Sequence, residues 1–109
     1  MTNEQTEPAG SEGGGTITVR RNASTNRFEA LLDGTVVGFI DYHQHGDRVT
    51  LIHTETDPYF EGRGIGSTLA RAALEDVQAR GEKAVIVCPF ITAYLKRHPD
   101  YDDIVVRAE

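Results

Sequence analysis

The stretch Glu61-Gly62-Arg63-Gly64-Ile65-Gly66-Ser67 decides how this chain of 109 residues folds and what it can bind. Its three alternating glycines follow a strand-like segment and open a helical pattern. Glycine has no Cβ to keep a ligand away from the backbone, and the free N–H groups of a helix's first turn carry partial positive charge. The sequence therefore predicts a phosphate-binding turn at this junction.

Downstream of the glycines, the pattern predicts a helix, a strand and a second, short helix. Apolar residues recur at helical spacing until Arg80-Gly81 ends the pattern, at Ile65, Leu69, Ala72, Ala73 and Val77. Residues 83–87 include the β-branched run Val85-Ile86-Val87 and follow this helix, so they should form a buried strand parallel to the one before the glycines. A short helix over residues 91–97 and a last apolar group, residues 104–106, complete the chain.

Upstream of the glycines, alternating apolar residues and turn residues predict four antiparallel strands in a meander. The turns fall at residues 23–26, 33–34 and 46–47. In the fourth strand, plain alternation puts Val49, Leu51, His53 and Glu55 on one face and Thr50, Ile52, Thr54 and Thr56 on the other. The expected fold class is α/β (α+β): a mixed, mostly antiparallel central sheet with a βαβ unit.

Composition indicates one globular domain, expected over residues 15–109, behind a polar, disordered tail at residues 1–14. The net charge is −6, and no Lys/Arg-rich face is visible, so no nucleic-acid partner is expected. No apolar run approaches the roughly 20 residues of a membrane span, so no membrane partner is expected either. The single cysteine suits a reducing, cytoplasmic location.

Three classes of phosphate ligand compete for the glycine turn. A P-loop needs a Lys before the Ser, and Gly66-Ser67 has none. A dinucleotide fold carries its glycines early in a mostly parallel sheet, whereas here they follow four antiparallel strands. The remaining class is coenzyme A.

The stretch from His53 to Ser67 and the block Val87-Cys88-Pro89-Phe90-Ile91-Thr92-Ala93-Tyr94-Leu95-Lys96-Arg97-His98-Pro99 together resemble the GNAT N-acetyltransferase superfamily. The chain looks most like its minimal yjdJ-type N-acetyltransferase-domain proteins, from about Thr16 onward. This resemblance implies acetyl-CoA as cofactor and transfer of an acetyl group to an amine. The family signature is Gln/Arg-x-x-Gly-x-Gly/Ala, and this chain departs from it at Glu61.

The resemblance also implies site residues. A bulge near Thr54 to Thr56 should turn a backbone N–H towards the thioester carbonyl. The expected cofactor-binding residues are Thr54, Thr56, Gly62, Arg63, Gly64, Ile65, Gly66, Ser67, Phe90, Tyr94 and Arg97. The expected catalytic residues are Glu55 or His53 as base, Tyr94 as proton donor to the thiolate, and Cys88 as a thiol that could accept the acetyl group.

Each catalytic assignment has a plain structural alternative. His53 and Glu55 are equally typical of a half-exposed strand and its turn, Tyr94 of ring packing, and Cys88 of a small buried side chain. His43 and His45 lack further ligands, so no metal site is predicted. The acceptor wall of larger GNAT enzymes is missing, which favours a protein or peptide amine as the unknown acceptor. A non-catalytic acyl-CoA sensor and a ligand-free domain stay open, and a monomer or weak homodimer is expected.

Overall fold

The computed structural model describes residues 16–106, so the predicted tail at residues 1–14 lies outside the described part. The elements are β1 (Ile17–Asn22), β2 (Arg27–Leu32), β3 (Thr35–His45), β4 (Arg48–Thr56), α1 (Ile65–Ala79), β5 (Lys83–Ile86), α2 (Pro89–Arg97) and β6 (Val105–Val106). Two 3-10 turns, Pro58–Phe60 and Pro99–Ile104, were not predicted. Each turn begins at a proline, which ends the strand or helix before it because proline has no backbone N–H and restricts the residue that precedes it.

The strands form one sheet in the order β1-β2-β3-β4-β5-β6. The first four pair antiparallel, whereas β4, β5 and β6 pair parallel. The predicted meander, the parallel fifth strand and the mixed sheet are therefore confirmed. Because parallel crossovers are right-handed, α1 and α2 lie on the same side of the sheet, where they contact each other.

The core lies between this side of the sheet and the two helices. Its largest fully buried side chains are Phe28, Ile40, Leu51, Leu69, Leu74 and Ile91. The other side, called the open face here, carries Arg20, Arg27, Glu29, Phe39, Asp41, His53 and Glu55. Within residues 16–106 neither helix covers the open face. None of these helices is both long and apolar enough to span a membrane.

A bulge in β4 overturns the predicted face assignment of that strand. Tyr42 pairs with Leu51, but Asp41 pairs with His53, so Ile52 is an extra residue without a partner on β3. Beyond the bulge Thr54 pairs with Ile40, which is buried on the helix side. Because cross-strand partners share a face, the prediction that His53 and Glu55 share a face with Leu51 is wrong.

Over the rest of the strand, the same bulge reverses the predicted faces of the side chains. Thr54 and Thr56 join Leu51 on the helix side, whereas His53 and Glu55 lie on the open face. Simple alternation fails here because an extra residue shifts the two-residue period by one. The bulge also lies at Ile52, just before the Thr54–Thr56 segment to which the resemblance assigned it.

Gly38 lets α1 begin directly above the β3–β4 pair. A Cβ added at Gly38 would lie 2.9 Å from Ile65 Cγ2, 3.2 Å from Leu69 Cδ1 and 3.1 Å from the Glu55 carbonyl oxygen. A glycine in a strand interior often marks such a close approach. The position of the helix start, and of the glycine turn before it, therefore depends on this missing side chain.

Arg21 links the edge strand β1 to the C-terminal end of α1 and the residues that follow it. Its guanidinium donates to Asp76 and to Glu82, each at 2.9 Å, and lies 5.0 Å from the centroid of the Tyr42 ring. Burial alone would lower the pKa of Arg21, but hydrogen bonds to Glu82, Tyr42 and Asp76 outweigh it and raise the pKa. The guanidinium thus stays charged, and these bonds are structural.

Gly38→Ala separates packing from backbone propensity. Propensity alone would make alanine more stable by about 0.5–1 kcal/mol in a strand interior. We expect the opposite, a loss of about 1–3 kcal/mol in the free energy of unfolding, because the new methyl group collides with Ile65 and Leu69. Urea denaturation measures the free energy of unfolding, and Thr35→Ala, at an exposed position of the same strand, is the control. A more stable Gly38→Ala protein would contradict the close approach.

Candidate functional site

The strands β4 and β5 separate at the bulge. They pair only over residues 48–51 and 83–86. The N–H groups of Val87 and Cys88 both donate to the carbonyl of Leu51, at 3.0 Å each, so the chain turns away from β4 at this point. Because β4 continues to Thr56, its last residues run beyond the end of the β4–β5 pairing, and the space between them and the start of α2 is called the cleft here. Ligands of α/β sheets bind at such a place, beyond the carboxyl ends of parallel strands.

Thr54 and Cys88 meet across this cleft. Thr54 Oγ1 lies 3.2 Å from Cys88 Sγ, and either atom can donate the hydrogen bond. Cys88 is 2% exposed and forms the N-cap of α2, whose residue Thr92 donates to the Cys88 carbonyl. The helix side of the cleft is therefore closed by a hydroxyl and a thiol in contact.

The glycine turn leaves open space beside its backbone. Gly62 and Gly64 adopt φ values of +88° and +71°, in the left-handed region, and a Cβ built on either meets no atom of residues 16–106 within 4 Å. Gly64 is the N-cap of α1, and the Thr68 N–H donates to its carbonyl at 3.0 Å. The N–H groups of the helix's first three residues, Ile65 to Ser67, thus have no acceptor within the helix.

Gly66 differs from the other two glycines because an aromatic ring lies against it. A Cβ at Gly66 would be 2.8 Å from Cζ of Phe90, a ring that is 40% exposed at the start of α2. Close packing against Phe90 thus accounts for Gly66, whereas Gly62 and Gly64 leave room for a ligand. Phe90, predicted to contact the cofactor, does border the turn.

His53 and Glu55 form a pair on the open face, behind the cleft. His53 Nε2 lies 3.1 Å from Glu55 Oε2, and the two side chains are 53% and 62% exposed. Their cross-strand neighbours on β3 are Asp41 and Phe39. The bulge thus places His53 and Glu55, the two candidates for the base, on one face of β4. Thr54, which lies between them in sequence, is on the other face.

Tyr94 and Arg97 lie elsewhere on α2. The buried Tyr94 ring stacks on His98, with ring centroids 4.1 Å apart, and burial raises the pKa of Tyr94. The charges that act on this hydroxyl belong to Arg71, Glu75 and Asp100, none of which is part of the glycine turn or of β4. Arg97 is in the last turn of α2, at the other end of that helix from Phe90.

The structure thus brings the glycine turn, Thr54, Cys88 and Phe90 to one end of the molecule. Sequence reasoning missed Gly38 and Ile52, which position this end. An isolated glycine inside a strand pattern is a usable signal for the first, whereas nothing in the alternation of β4 marks Ile52 as the bulge. Within residues 16–106, no group of His, Cys, Asp and Glu side chains could hold a metal ion.

Comparison with known proteins places the chain in a family. A family model described as GCN5-related N-acetyl-transferase matches residues 27–104. Protein NATD1 of Mus musculus is 34% identical over 96 residues, covering 86% of this chain and 87% of that protein. Protein NATD1 of Homo sapiens is 37% identical over 81 residues, covering 73% and 69%. The chain belongs to the GCN5-related N-acetyltransferase family.

Solved structures agree on the fold. A GCN5-like protein from Staphylococcus aureus superposes with a TM-score of 0.62 at 20% identity, covering 84% of this chain and 90% of the other. A ribosomal-protein-alanine N-acetyltransferase from Brucella melitensis biovar Abortus 2308 gives 0.53 at 20% identity, covering 76% and 62%. The six-stranded mixed sheet with its helices is therefore a GNAT-like fold.

The contact between Thr54 and Cys88 has a direct chemical test. Because Cys88 is buried against Thr54, we expect iodoacetamide to alkylate it at least about tenfold more slowly in the native than in the urea-unfolded protein. Thr54→Ala should speed alkylation, whereas Thr50→Ala, on the other face of β4, should not. Mass spectrometry measures the rate, and equal rates in native and unfolded protein would contradict the burial of the thiol.

Proposed function

We propose that this protein binds acetyl-CoA and transfers the acetyl group to an amine. The observation that carries the proposal is that neighbouring residues of β4 lie on opposite faces of the sheet. Thr54 faces the cleft between the strands on the helix side, and the His53–Glu55 pair flanks it on the open face. A donor on one side and an acceptor on the other would meet at this segment of the strand.

The turn before α1 suits the pyrophosphate of coenzyme A. Open space beside Gly62 and Gly64 lets phosphate oxygens approach the backbone, and the first N–H groups of α1 can donate to them. Arg63 lies in the same turn and supplies a positive charge. Glu61 cannot donate to phosphate, so the backbone carries the contact. When bound, acetyl-CoA supplies an activated acyl group as a thioester.

The open face would handle the proton of the acceptor amine. His53 and Glu55 are exposed and 3.1 Å apart, so either can take a proton, directly or through water, and the other can stabilise it there. On the helix side, Tyr94 stays protonated because burial raises its pKa. Its proposed role, the return of a proton to the leaving thiolate, requires the thiolate to reach α2 between Cys88 and the ring pair of Tyr94 and His98. The backbone at the Ile52 bulge is the proposed donor to the thioester oxygen.

Cys88 would serve the reaction by lining the cleft, with direct attack of the amine as the main route. Its 2% exposure and its contact with Thr54 favour a lining role over that of an acetyl carrier. Transfer through Cys88 would need the thiol to leave Thr54 first. A cytoplasmic location and a monomer or weak homodimer remain part of the proposal.

A non-catalytic acyl-CoA sensor is the second candidate. Glu61 favours it, because a carboxylate stands where the family signature has Gln or Arg. The sensor and the enzyme share donor binding and differ only in turnover.

Donor binding is tested by calorimetric titration of acetyl-CoA. We expect Gly64→Ala to weaken binding about tenfold or more, because a left-handed residue with a Cβ distorts the turn and fills the space beside it. Glu61→Ala should change binding much less. Gly46→Ala is the matched control, since Gly46 also has a left-handed φ, +63°, and open surroundings, in a hairpin turn. Equal effects of the two glycine variants would contradict the proposed site.

Turnover separates the enzyme from the sensor. With lysine-containing peptides as acceptors, we expect Glu55→Gln to lower kcat by about 10²-fold or more while acetyl-CoA binding is unchanged. Cys88→Ser should retain most of the rate if the amine attacks directly. Release of free coenzyme A measures both variants. If the unmodified protein binds acetyl-CoA tightly but shows no turnover, the result would contradict the enzyme and support the sensor.

A further inference from the structure

We propose that the ring of Phe39 and the carboxylate of Asp41 form a subsite on the open face for a second positive charge of the acceptor, which is therefore a basic peptide. This inference rests on the proposed function, because it places the reacting amine at Glu55. It goes further by stating what else the acceptor carries and at what distance from the amine.

The chain's own Arg27 shows how a cation fits this subsite. Its guanidinium carbon lies 3.8 Å from the centroid of the Phe39 ring, and its Nε donates to Asp41 Oδ1 at 2.8 Å. An aromatic face and a carboxylate attract a cation through the ring quadrupole and through a charge-assisted hydrogen bond. A lysine or arginine of a peptide meets the same two groups when Arg27 moves aside.

Arg27 can be displaced at little cost. The side chains of Arg27 and Asp41 are 42% and 36% exposed, and exposed ion pairs of this kind add little to stability. The ion pair between Arg20 and Glu29 on the same face is different. Glu29 is buried and accepts from Arg20 and Asn22, so it has no room for an incoming cation.

Glu29 is also held in its charged form. Burial alone would raise the pKa of Glu29, but hydrogen bonds from Arg20, Asn22 and Thr25 outweigh it and lower the pKa. Its charge is thus neutralised inside the face by the arginine. Among the carboxylates that residues 16–106 place on this face, Asp41 and Glu55 are accessible to a peptide, whereas Glu29 is buried.

Charge also favours a cationic acceptor at Glu55. This side chain is 62% exposed, and its ion-pair partner among residues 16–106 is the imidazole of His53. The guanidinium beside Asp41 always carries its charge, whereas an imidazole does so only when it is protonated. The exposed Glu55 carboxylate is therefore the less firmly neutralised of the two and attracts an ammonium group.

The sheet register sets the spacing of the two charges. Glu55 lies directly opposite Phe39, so Asp41 is its diagonal neighbour on β3. Diagonal neighbours are roughly 7–8 Å apart, and residues two apart in an extended peptide are separated by roughly 6.6 Å along one face. The second basic residue should therefore stand two positions from the acceptor lysine, as in Lys-x-Arg.

The test is peptide binding measured by NMR with the 15N-labelled protein and no acyl donor. The probes are glycine-based peptides carrying Lys-Gly-Arg or, with the same charge, Lys-Arg-Gly. We expect the first to bind roughly threefold more tightly than the second. Arg27→Gln should tighten binding of the Lys-Gly-Arg peptide by roughly three- to fivefold, because the subsite is vacated. Arg27→Lys should give the affinity of the unmodified protein, because a cation again occupies the subsite. Asp41→Asn should weaken binding of the same peptide.

Arg48→Gln is the matched control. Arg48 is an exposed residue at the start of β4, so this substitution changes the net charge equally without touching the subsite. The proposal is overturned if Arg27→Gln does not tighten binding more than Arg48→Gln, or if the spacing of the two charges has no effect. The 15N spectrum itself reports whether each variant is folded. Because acetyl-CoA is absent, failure of donor binding and failure of this subsite are separate outcomes.

Discussion

One extra residue in β4 organises the functional end of this protein. Ile52 has no partner on β3, and from that point the strand presents the opposite set of side chains to each face. At the same level β5 turns away, because two successive N–H groups share the carbonyl of Leu51. A bulge both re-aims side chains and ends pairing. The cleft, the Thr54–Cys88 contact and the exposed His53–Glu55 pair all follow from it.

Two glycine positions then fix where a ligand can approach this cleft. Gly38 removes the side chain that would hold Ile65 and Leu69 away from the sheet, so α1 starts close to the end of β4. Gly64 takes the left-handed conformation that turns the chain into that helix. The unsatisfied N–H groups of the first helical turn thus lie at the end of the sheet where β4 and β5 separate. Arg21 stabilises the distant end with bonds that the site does not use.

Much of this could be predicted from the sequence, because most elements follow strong local patterns. The turns at residues 33–34 and 46–47, the α1 periodicity and the β-branched run of β5 each indicate their structure alone. The faces of β4 could not be predicted, since the bulge depends on pairing with β3 rather than on any residue type. For the same reason the sequence identified Thr54 and Cys88 separately but could not show that they touch. The open face, with Phe39 and Arg27 at its centre, becomes visible only once the register is known.

The most direct test of this account is the map of backbone amide shifts when acetyl-CoA is titrated into the 15N-labelled protein. We expect the largest changes on residues 52–56, on residues 62–67 and at Cys88, because the donor would lie between the bulge and the start of α1. Residues 17–22 of β1, at the far edge of the sheet, should not shift. Changes centred on β1 and the Arg21 network, or none at millimolar ligand, would contradict it.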